Sequence, residues 1–375
     1  MITQKLHIHL LVTPFKGGSE MNDSHPPTVR PYLITKTLVP ENQETPINFL
    51  SGDIIGEKLF YRRNHFPYPN FASNFYFLPI EGLVHTPKVF SLQEIYSLPS
   101  KTIKVVLECS GDKRQLFKPN VYGEQWGKGA ISQGIWKGVS LGSLLQYTGL
   151  LDTAKEIVFE GYDHGKRPDS NNLFNFSRSL PLEKALDLDT IIAYEYNKQP
   201  IPFKHGFPLR LIVPGWYAMA SVKWIKKIIV IEKEFKGPFQ AVDYVYYPNK
   251  DNDNGKVPVT TINVNSTIHY PLNRQILHTG VYEVKGIAWT GNGQIVQVEI
   301  SVDGGQTWDT CHLTTSSEEY SWVRWNYKWV AHTKGEYTIK SKATDSKGIV
   351  QPSEAMWNRK GYGYNALDSI KVKVD

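Results

Sequence analysis

Cys109 stands at the end of an apolar run, Ile103 to Leu107, and is followed by Ser110-Gly111 and then by Asp112, Lys113 and Arg114. A sulfur at a strand end, beside a small-residue turn and two cations, is where a thiolate is stabilised, because nearby positive charge favours the deprotonated form. The pattern predicts an exposed sulfur of lowered pKa, able to act as a nucleophile or as a soft metal ligand. A half-buried core cysteine that happens to precede a turn is the competing reading for a lone Cys. A second cluster lies in Leu59-Phe-Tyr-Arg-Arg-Asn-His-Phe-Pro-Tyr-Pro-Asn70. Its two prolines forbid a helix, so Arg62, Arg63, Asn64 and His65 are placed on a loop. Planar guanidinium forks with an imidazole suit the grip of an oxyanion; a solvated surface loop is the alternative.

The elements around these residues can be read from local signals. Ser91-Leu-Gln-Glu94 has the capping-box spacing and opens a short helix that Pro99 closes. Lys101 to Leu107 is the strand that delivers Cys109. Trp126-Gly-Lys-Gly-Ala-Ile-Ser132 is rich enough in glycine to let backbone approach a ligand. Leu141, Leu144, Leu145 and Thr148 fall at helical spacing, with Gly149 as the stop, and are expected to pack in a core. Ile157 to Asp163 reads as a strand ending on an acid, Pro181 to Leu186 as a short helix, and Thr190 to Tyr196 as a strand closed by the turn Asn197–Pro200. His205 and Arg210 flank a strand that stops at Pro214-Gly215, and Ser221-Val-Lys-Trp224 leads into the apolar run Ile225 to Ile231. Helices and strands mix without a regular βαβ repeat, which predicts an α+β fold.

After about residue 250 the texture changes. Asp251-Asn-Asp-Asn-Gly255 is a linker, and beyond it the chain alternates at period two. Val296, Val298, Ile300 and Val302 are expected on one face before the tight turn Asp303-Gly-Gly305. Trp325, Tyr327 and Trp329, then Tyr337, Ile339, Ser341 and Ala343, repeat the pattern and predict an immunoglobulin-like β-sandwich. Residues 22 to about 46, rich in Pro, Asn and Thr, read as an extended arm with little structure of its own. The expected organisation is an arm over 1–45, a mixed α/β domain over 46–250 and the sandwich over 251–375.

Composition narrows the function. The 375 residues, with 10 Trp and 21 Tyr, favour two folded domains with large cores. Two cysteines, Cys109 and Cys311, in different expected domains, do not make a disulfide framework. A net charge of +6, without a Lys/Arg block, argues against nucleic acid and fits an anionic small substrate. No apolar run approaches a membrane span. The patch Lys5 to Val12 contains two His and lacks a convincing cleavage site, so a cytoplasmic protein is expected; the true start could be Met1 or Met21.

Taken together, these motifs resemble the sulfite oxidase family of molybdenum enzymes. The resemblance runs from about residue 30 through Arg63-Asn-His65, Cys109-Ser-Gly-Asp-Lys-Arg114, Trp126-Gly-x-Gly-Ala-Ile-Ser132, Ser179-Leu-Pro-Leu-Glu-Lys-Ala185, Ala193-Tyr-Glu195, His205-Gly-Phe-Pro-Leu-Arg210, Val213-Pro-Gly215 and Ser221-Val-Lys-Trp224, with Trp357-Asn358 near the end. It implies a molybdopterin-binding domain, with Cys109 as the protein's thiolate ligand to molybdenum. It places pterin contacts on Arg63, Asn64, His65, Asp163, His205, Arg210, Ser221, Val222 and Lys223. Arg210, His205 and Lys223 can hold a phosphate, and Asp163 can accept from pterin N–H groups. It also implies an active-site Tyr at Tyr244, and Arg63 and Arg114 as groups that orient and neutralise the substrate. The implied reaction is two-electron oxidation of sulfite to sulfate, with the cofactor carrying the redox chemistry.

Two positions depart from the family pattern. Tyr122 stands where animal and plant sulfite oxidases carry a Lys, which leaves room for another small oxyanion or a sulfoxide-like substrate. Arg359-Lys360-Gly361 offers two basic residues where one Arg is expected near the site. No His-Pro-Gly-Gly haem-binding segment precedes the domain, so a haem-free enzyme with an external acceptor, a cytochrome or oxygen, is expected. The sandwich implies a homodimer. A molybdopterin-dependent S- or N-oxide reductase is the alternative enzyme, and a non-catalytic binding protein on the same fold the alternative class.

Overall fold

A computed structural model of the chain describes residues 32–71 and 75–375. The patch at residues 5–12, Met21 and most of the expected arm lie outside them. The described end of that arm is not loose. Strands β1 (Ile34–Leu38) and β2 (Glu41–Glu44) form an antiparallel hairpin, and all four residues of β2 are buried. Their burial is possible because each charge finds a partner far along the chain or across the hairpin: Glu41 pairs with Arg62 and, at 2.9 Å, with Lys204, while Glu44 pairs with Lys36 at 2.9 Å.

Two five-stranded sheets build the larger domain. One runs β4 (Lys88–Ser91), β3 (Phe77–Gly82), β12 (Ile225–Ile231), β7 (Glu156–Arg167) and β8 (Ser170–Pro181), with only β3 and β12 parallel. The other runs β10 (Gln199–Pro200), β9 (Ile191–Tyr196), β6 (Ile131–Ser140) and β5 (Ser100–Glu108), with β11 (Arg210–Ile212) also on β9. Helix α1 (Leu92–Ser97) begins in the expected box: the Ser91 hydroxyl accepts from the Glu94 N–H and the Glu94 carboxylate accepts from the Ser91 N–H. Helix α2 (Leu141–Thr148) buries Leu141, Leu144, Leu145 and Thr148 and ends on Gly149 at φ +62°. Helix α3 (Leu182–Leu186) buries Ala185. The fold is mixed and dominated by strands, an α+β domain followed by a β-sandwich.

The short pair β13 (Val245–Tyr246) and β14 (Val257–Pro258) joins the two halves. The sandwich sets β15 (Asn265–Tyr270), β17 (Gly280–Trp289), β21 (Val323–Ala331) and β20 (His312–Leu313) against β16 (Ile276–Leu277), β23 (Asp368–Val374), β22 (Gly335–Asp345), β18 (Ile295–Ser301) and β19 (Asp309–Thr310). Val298 and Ile300 face its core, as expected, but Val296 is 55% exposed. A bulge between Ile295 and Gln297 turns Ile295 inward in its place, since a one-residue slip exchanges the faces of a strand.

The sandwich is not separated from the first domain by a wet gap. Ile287, Trp289, Trp322 and Tyr362 belong to the same buried cluster as the core of the larger domain. Polar ties cross at the same place: Trp289 Nε1 donates to Glu108 Oε2 at 2.7 Å, Trp322 N to Gln133 Oε1 at 2.6 Å, and Gly363 N to the Ser110 carbonyl at 2.7 Å. Two of these end on residues adjacent to Cys109.

Candidate active site

Strand β5 ends at Glu108, and the next residue is Cys109. The turn that follows is tightly tied: Cys109 N donates to the Ala130 carbonyl at 2.9 Å, Asp112 N to the Cys109 carbonyl at 2.8 Å, and Ala130 N to Asp112 Oδ1 at 2.8 Å. Lys113 takes a left-handed conformation, φ +62°, and this sends its side chain away from its neighbours. Its ammonium is buried against the sandwich, 2.6 Å from Asn265 Oδ1 and 3.0 Å from the Ser266 carbonyl. Arg114 donates to the Glu124, Lys360 and Gly361 carbonyls.

These contacts correct the expectation of an exposed, low-pKa sulfur. Cys109 is only 7% exposed, and burial pushes its thiol pKa up, against the smaller downward pull of Arg63 and Arg114. The apolar walls that the strand needs for folding also desolvate the sulfur. Burial thus disfavours the thiolate, and a bound cation would offset that cost.

Cys109 lines a cavity together with most of the candidate residues: Arg63, Asn64, His65, Asp163, His205, Arg210, Ser221, Lys223 and Tyr244. Five separate segments bring them there. The loop after Phe60 supplies Arg63 to His65, strand β7 supplies Asp163, the turn before β11 and that strand's first residue supply His205 and Arg210, and the 3-10 turn Ala218–Ala220 leads into Ser221 and Lys223. A single π-helical turn, Phe239–Asp243, then presents Tyr244. Asp163 lies within a twelve-residue strand and not at its end; a register shift between Glu160 and His164 turns it inward.

Three expected residues are placed differently. Val222 is 1% exposed and packs in the main core. Arg114 does not line the cavity, because backbone carbonyls and the Tyr362 ring, 5.0 Å from its guanidinium, hold it behind the turn. Tyr122 is 96% exposed and points to solvent. Of the two late basic residues, Arg359 pairs with Asp253 and Lys360 lies 3.6 Å from Asp243, and neither lines the cavity. The glycines at 127 and 129 admit protein and not ligand: a Cβ on Gly129 would lie 1.8 Å from the Thr45 carbonyl oxygen.

The site is strongly cationic. Burial and the charge of Arg210, Arg63 and Arg62 push Lys223 well below the ordinary lysine range, with Asp163 opposing. Burial lowers Arg210 to about 10 and raises Asp163 to about 7. His65 is pushed well down by burial and by Arg63 and Lys223, so it is a neutral imidazole. Its Nε2 lies 2.9 Å from the Tyr244 hydroxyl, and burial raises that phenol far above neutrality. Among the buried side-chain atoms without a protein partner, several belong to residues lining the same space, including Asp163 Oδ1, Arg210 Nε, and Nε and Nη2 of Arg62. Such atoms cost folding free energy unless a ligand satisfies them. A carboxylate acceptor, a set of guanidinium donors and a thiol fit an organic group with N–H donors, an anionic end and a metal-binding sulfur face. The residues fit a molybdopterin.

Other residues of the site gave little signal in the sequence. Asn42 lies in a polar run that reads as surface. Arg178, buried 5.4 Å from the Tyr244 ring, falls at period two between Phe176 and Leu180 in strand β8, where a cation in line with alternating apolar residues was the available hint. Tyr362 stacks on Tyr244 from across the domain boundary, and nothing local marks it.

Residues 65–239 match the oxidoreductase molybdopterin binding domain, and residues 256–375 match the Mo-co oxidoreductase dimerisation domain. The chain is 31% identical to the mitochondrial sulfite oxidase of Mus musculus, over 98% of this chain and 73% of the relative. It is 31% identical to the sulfite oxidase of Arabidopsis thaliana, over 92% and 94% of the two chains. The sulfane dehydrogenase SoxCD of Paracoccus pantotrophus superposes with a TM-score of 0.78 at 25% identity, covering 97% of this chain and 92% of that one.

Proposed function

Because the chain belongs to the sulfite oxidase family of molybdopterin oxidoreductases, we propose that it oxidises sulfite to sulfate and passes the electrons to an external acceptor. The observation that carries the reading is one cavity in which the Cys109 sulfur, the Asp163 carboxyl and the cations Arg63, Arg210 and Lys223 meet. Cys109 would hold molybdenum, and the groups from Asn64 to Lys223 would hold the pterin. When bound, the molybdenum–pterin supplies two-electron redox chemistry and oxygen-atom transfer.

The protein's own part is to bind, orient and desolvate. Arg63 reaches the cavity from the loop and attracts the anion, with a planar donor face that suits an oxyanion. Arg114 acts at one remove: its charge bears on Cys109, while its hydrogen bonds hold the 360–361 backbone of the second domain against the Cys109 turn. Tyr244 stays protonated, braced by neutral His65, and offers a fixed hydroxyl dipole to an oxyanion in a dry site. The sandwich makes the protein a homodimer, in line with the dimerisation-domain match.

Molybdenum analysis together with sulfite oxidation assayed in parallel with ferricyanide, a c-type cytochrome and oxygen tests the proposal. About one molybdenum per chain and turnover with at least one acceptor are expected. Metal-free protein from a molybdenum-replete host, or silence with all three acceptors despite loaded cofactor, would overturn it.

A further inference from the structure

Glu124 is tied to both arginines to which substrate binding was ascribed. Its backbone carbonyl accepts from Arg114 Nη1 at 3.0 Å, and its carboxylate Oε1 accepts from Asn42 Nδ2 at 3.2 Å. Asn42, fully buried, carries the link onward. Its Oδ1 accepts from the Asn64 backbone N–H at 2.8 Å and lies 3.5 Å from Arg63 Nη1, while its amide also donates to Thr37 Oγ1 at 2.8 Å. All the hydrogen-bonding positions of the amide are used, and this fixes its orientation, since the flipped form would set N–H groups against N–H groups. The partners of the Glu124 carboxylate, the Asn42 amide and the Thr37 hydroxyl at 3.5 Å, are neutral, so its charge is not cancelled where it sits.

We propose that Glu124 determines anion specificity at this site. Through Asn42 it braces Arg63, and its charge offsets part of the positive field of Arg63 and Arg114. A cavity with so many cations and no such offset would hold a doubly charged product too well, because attraction grows with the ligand's charge. The carboxylate lowers sulfate affinity more than it lowers affinity for a singly charged anion and so favours product release. It sits outside the cavity lining and acts through Asn42, as a positioning and field-setting residue.

This inference deepens the sulfite reading and rests on it, and the test separates the two. Glu124→Gln keeps the shape and the acceptor oxygen for Asn42 and removes the charge, whereas Glu124→Ala removes both. Sulfate is titrated calorimetrically into the molybdenum-loaded proteins, and sulfite kinetics are measured beside it. E124Q is expected to bind sulfate about three- to tenfold more tightly than the wild type, with a steeper dependence on ionic strength and a lower KM for sulfite. E124A is expected to bind sulfate more weakly than E124Q, because Arg63 loses its brace. Structural damage does not produce tighter binding, so the gain identifies the electrostatic role. Sulfate affinity in E124Q equal to or below that of the wild type, or no sulfate binding by either protein, would overturn it. A wild type that fails to oxidise sulfite removes the functional reading, while the sulfate comparison still decides the role of Glu124.

Discussion

The ring of Tyr244, from the cofactor domain, stacks on the ring of Tyr362, from the sandwich, with centroids 5.3 Å apart and planes inclined by 29°. Each ring also carries a guanidinium, Arg178 at 5.4 Å from Tyr244 and Arg114 at 5.0 Å from Tyr362. The column packs the sandwich behind Tyr244, whose phenol meets His65 on its other side. Aromatic and cation–π contacts of this kind each contribute about 0.5–2 kcal/mol when desolvated, enough to set a side chain but not to fold a domain.

Replacing Tyr362 therefore separates ring from hydroxyl. Tyr362→Phe keeps the stack and is expected to retain kcat/KM for sulfite within about threefold, whereas Tyr362→Leu leaves Tyr244 unbraced and lowers it by about tenfold or more. Steady-state kinetics with a fixed acceptor decide it. Equal losses in the two variants would show that the hydroxyl, not the stack, matters.

Trp289 and Glu108 form the other crossing next to the metal-ligand candidate. Burial and the nearby Asp112 push the Glu108 carboxyl well above its usual range, opposed by the indole donation from Trp289 and by the charge of Lys113. Trp289→Phe leaves that carboxyl without its donor and opens space in a closed core. Destabilisation by about 2–4 kcal/mol is expected, read from thermal or denaturant unfolding. Molybdenum content should fall with it, because Glu108 adjoins Cys109. Unchanged unfolding and full metal would exclude Trp289 as a support of the Cys109 turn.

The parts of this fold written in short-range chemistry were legible in the sequence. The capping box of α1, the four inward residues of α2 with their Gly149 stop, and the loop forced by Pro67 and Pro69 each depend on neighbours within a turn or two. The rest depends on distant partners. Glu41 to Glu44 read as an arm because their burial is balanced by Arg62, by Lys204 and by the Gly127 N–H, which no local pattern announces. Lys113 and Arg114 are adjacent in sequence, yet one left-handed residue sends them to different partners. The candidate residues carried by the family resemblance largely converge on one cavity. Asn42, Glu124 and Tyr362 were missed because their roles arise from packing between elements.

Two glycines give a controlled comparison of backbone demands. A Cβ on Gly129 would meet the Thr45 carbonyl carbon at 2.8 Å and its oxygen closer still, so Gly129→Ala must push the β2 hairpin off the 126–132 segment. A loss of more than about 3 kcal/mol is expected. Gly142 lies inside α2, and a Cβ added there would have Ser140 Oγ, at 3.6 Å, as its nearest neighbour. Gly142→Ala should stabilise by about 0.5–1 kcal/mol, from helix propensity alone. Denaturant midpoints measured at equal m-values test both, and a tolerated Gly129→Ala would show that the hairpin can move without cost.

Finally, the sandwich carries a pH dependence independent of the metal site. His269 in β15 is 4% exposed, and burial, with Arg324 and Lys285 nearby, lowers its pKa from 6.5 to about 4. The folded-state value lies below the unfolded one, so between the two the unfolded chain binds the extra proton and the folded chain does not. The stability linked to His269 is then fully present above about pH 6.5 and is lost as pH falls toward 4, a span of about 3 kcal/mol at most. Carboxylates titrate at the lower end of the same window, so the quantity to read is the difference between the wild type and His269→Gln. Unfolding free energies at steps from pH 7 to 4 should fall less steeply in the variant, and the two should converge toward pH 4. Parallel curves would mean that His269 is protonated as readily in the folded sandwich as in the unfolded chain, and that its burial does not exclude the charged form.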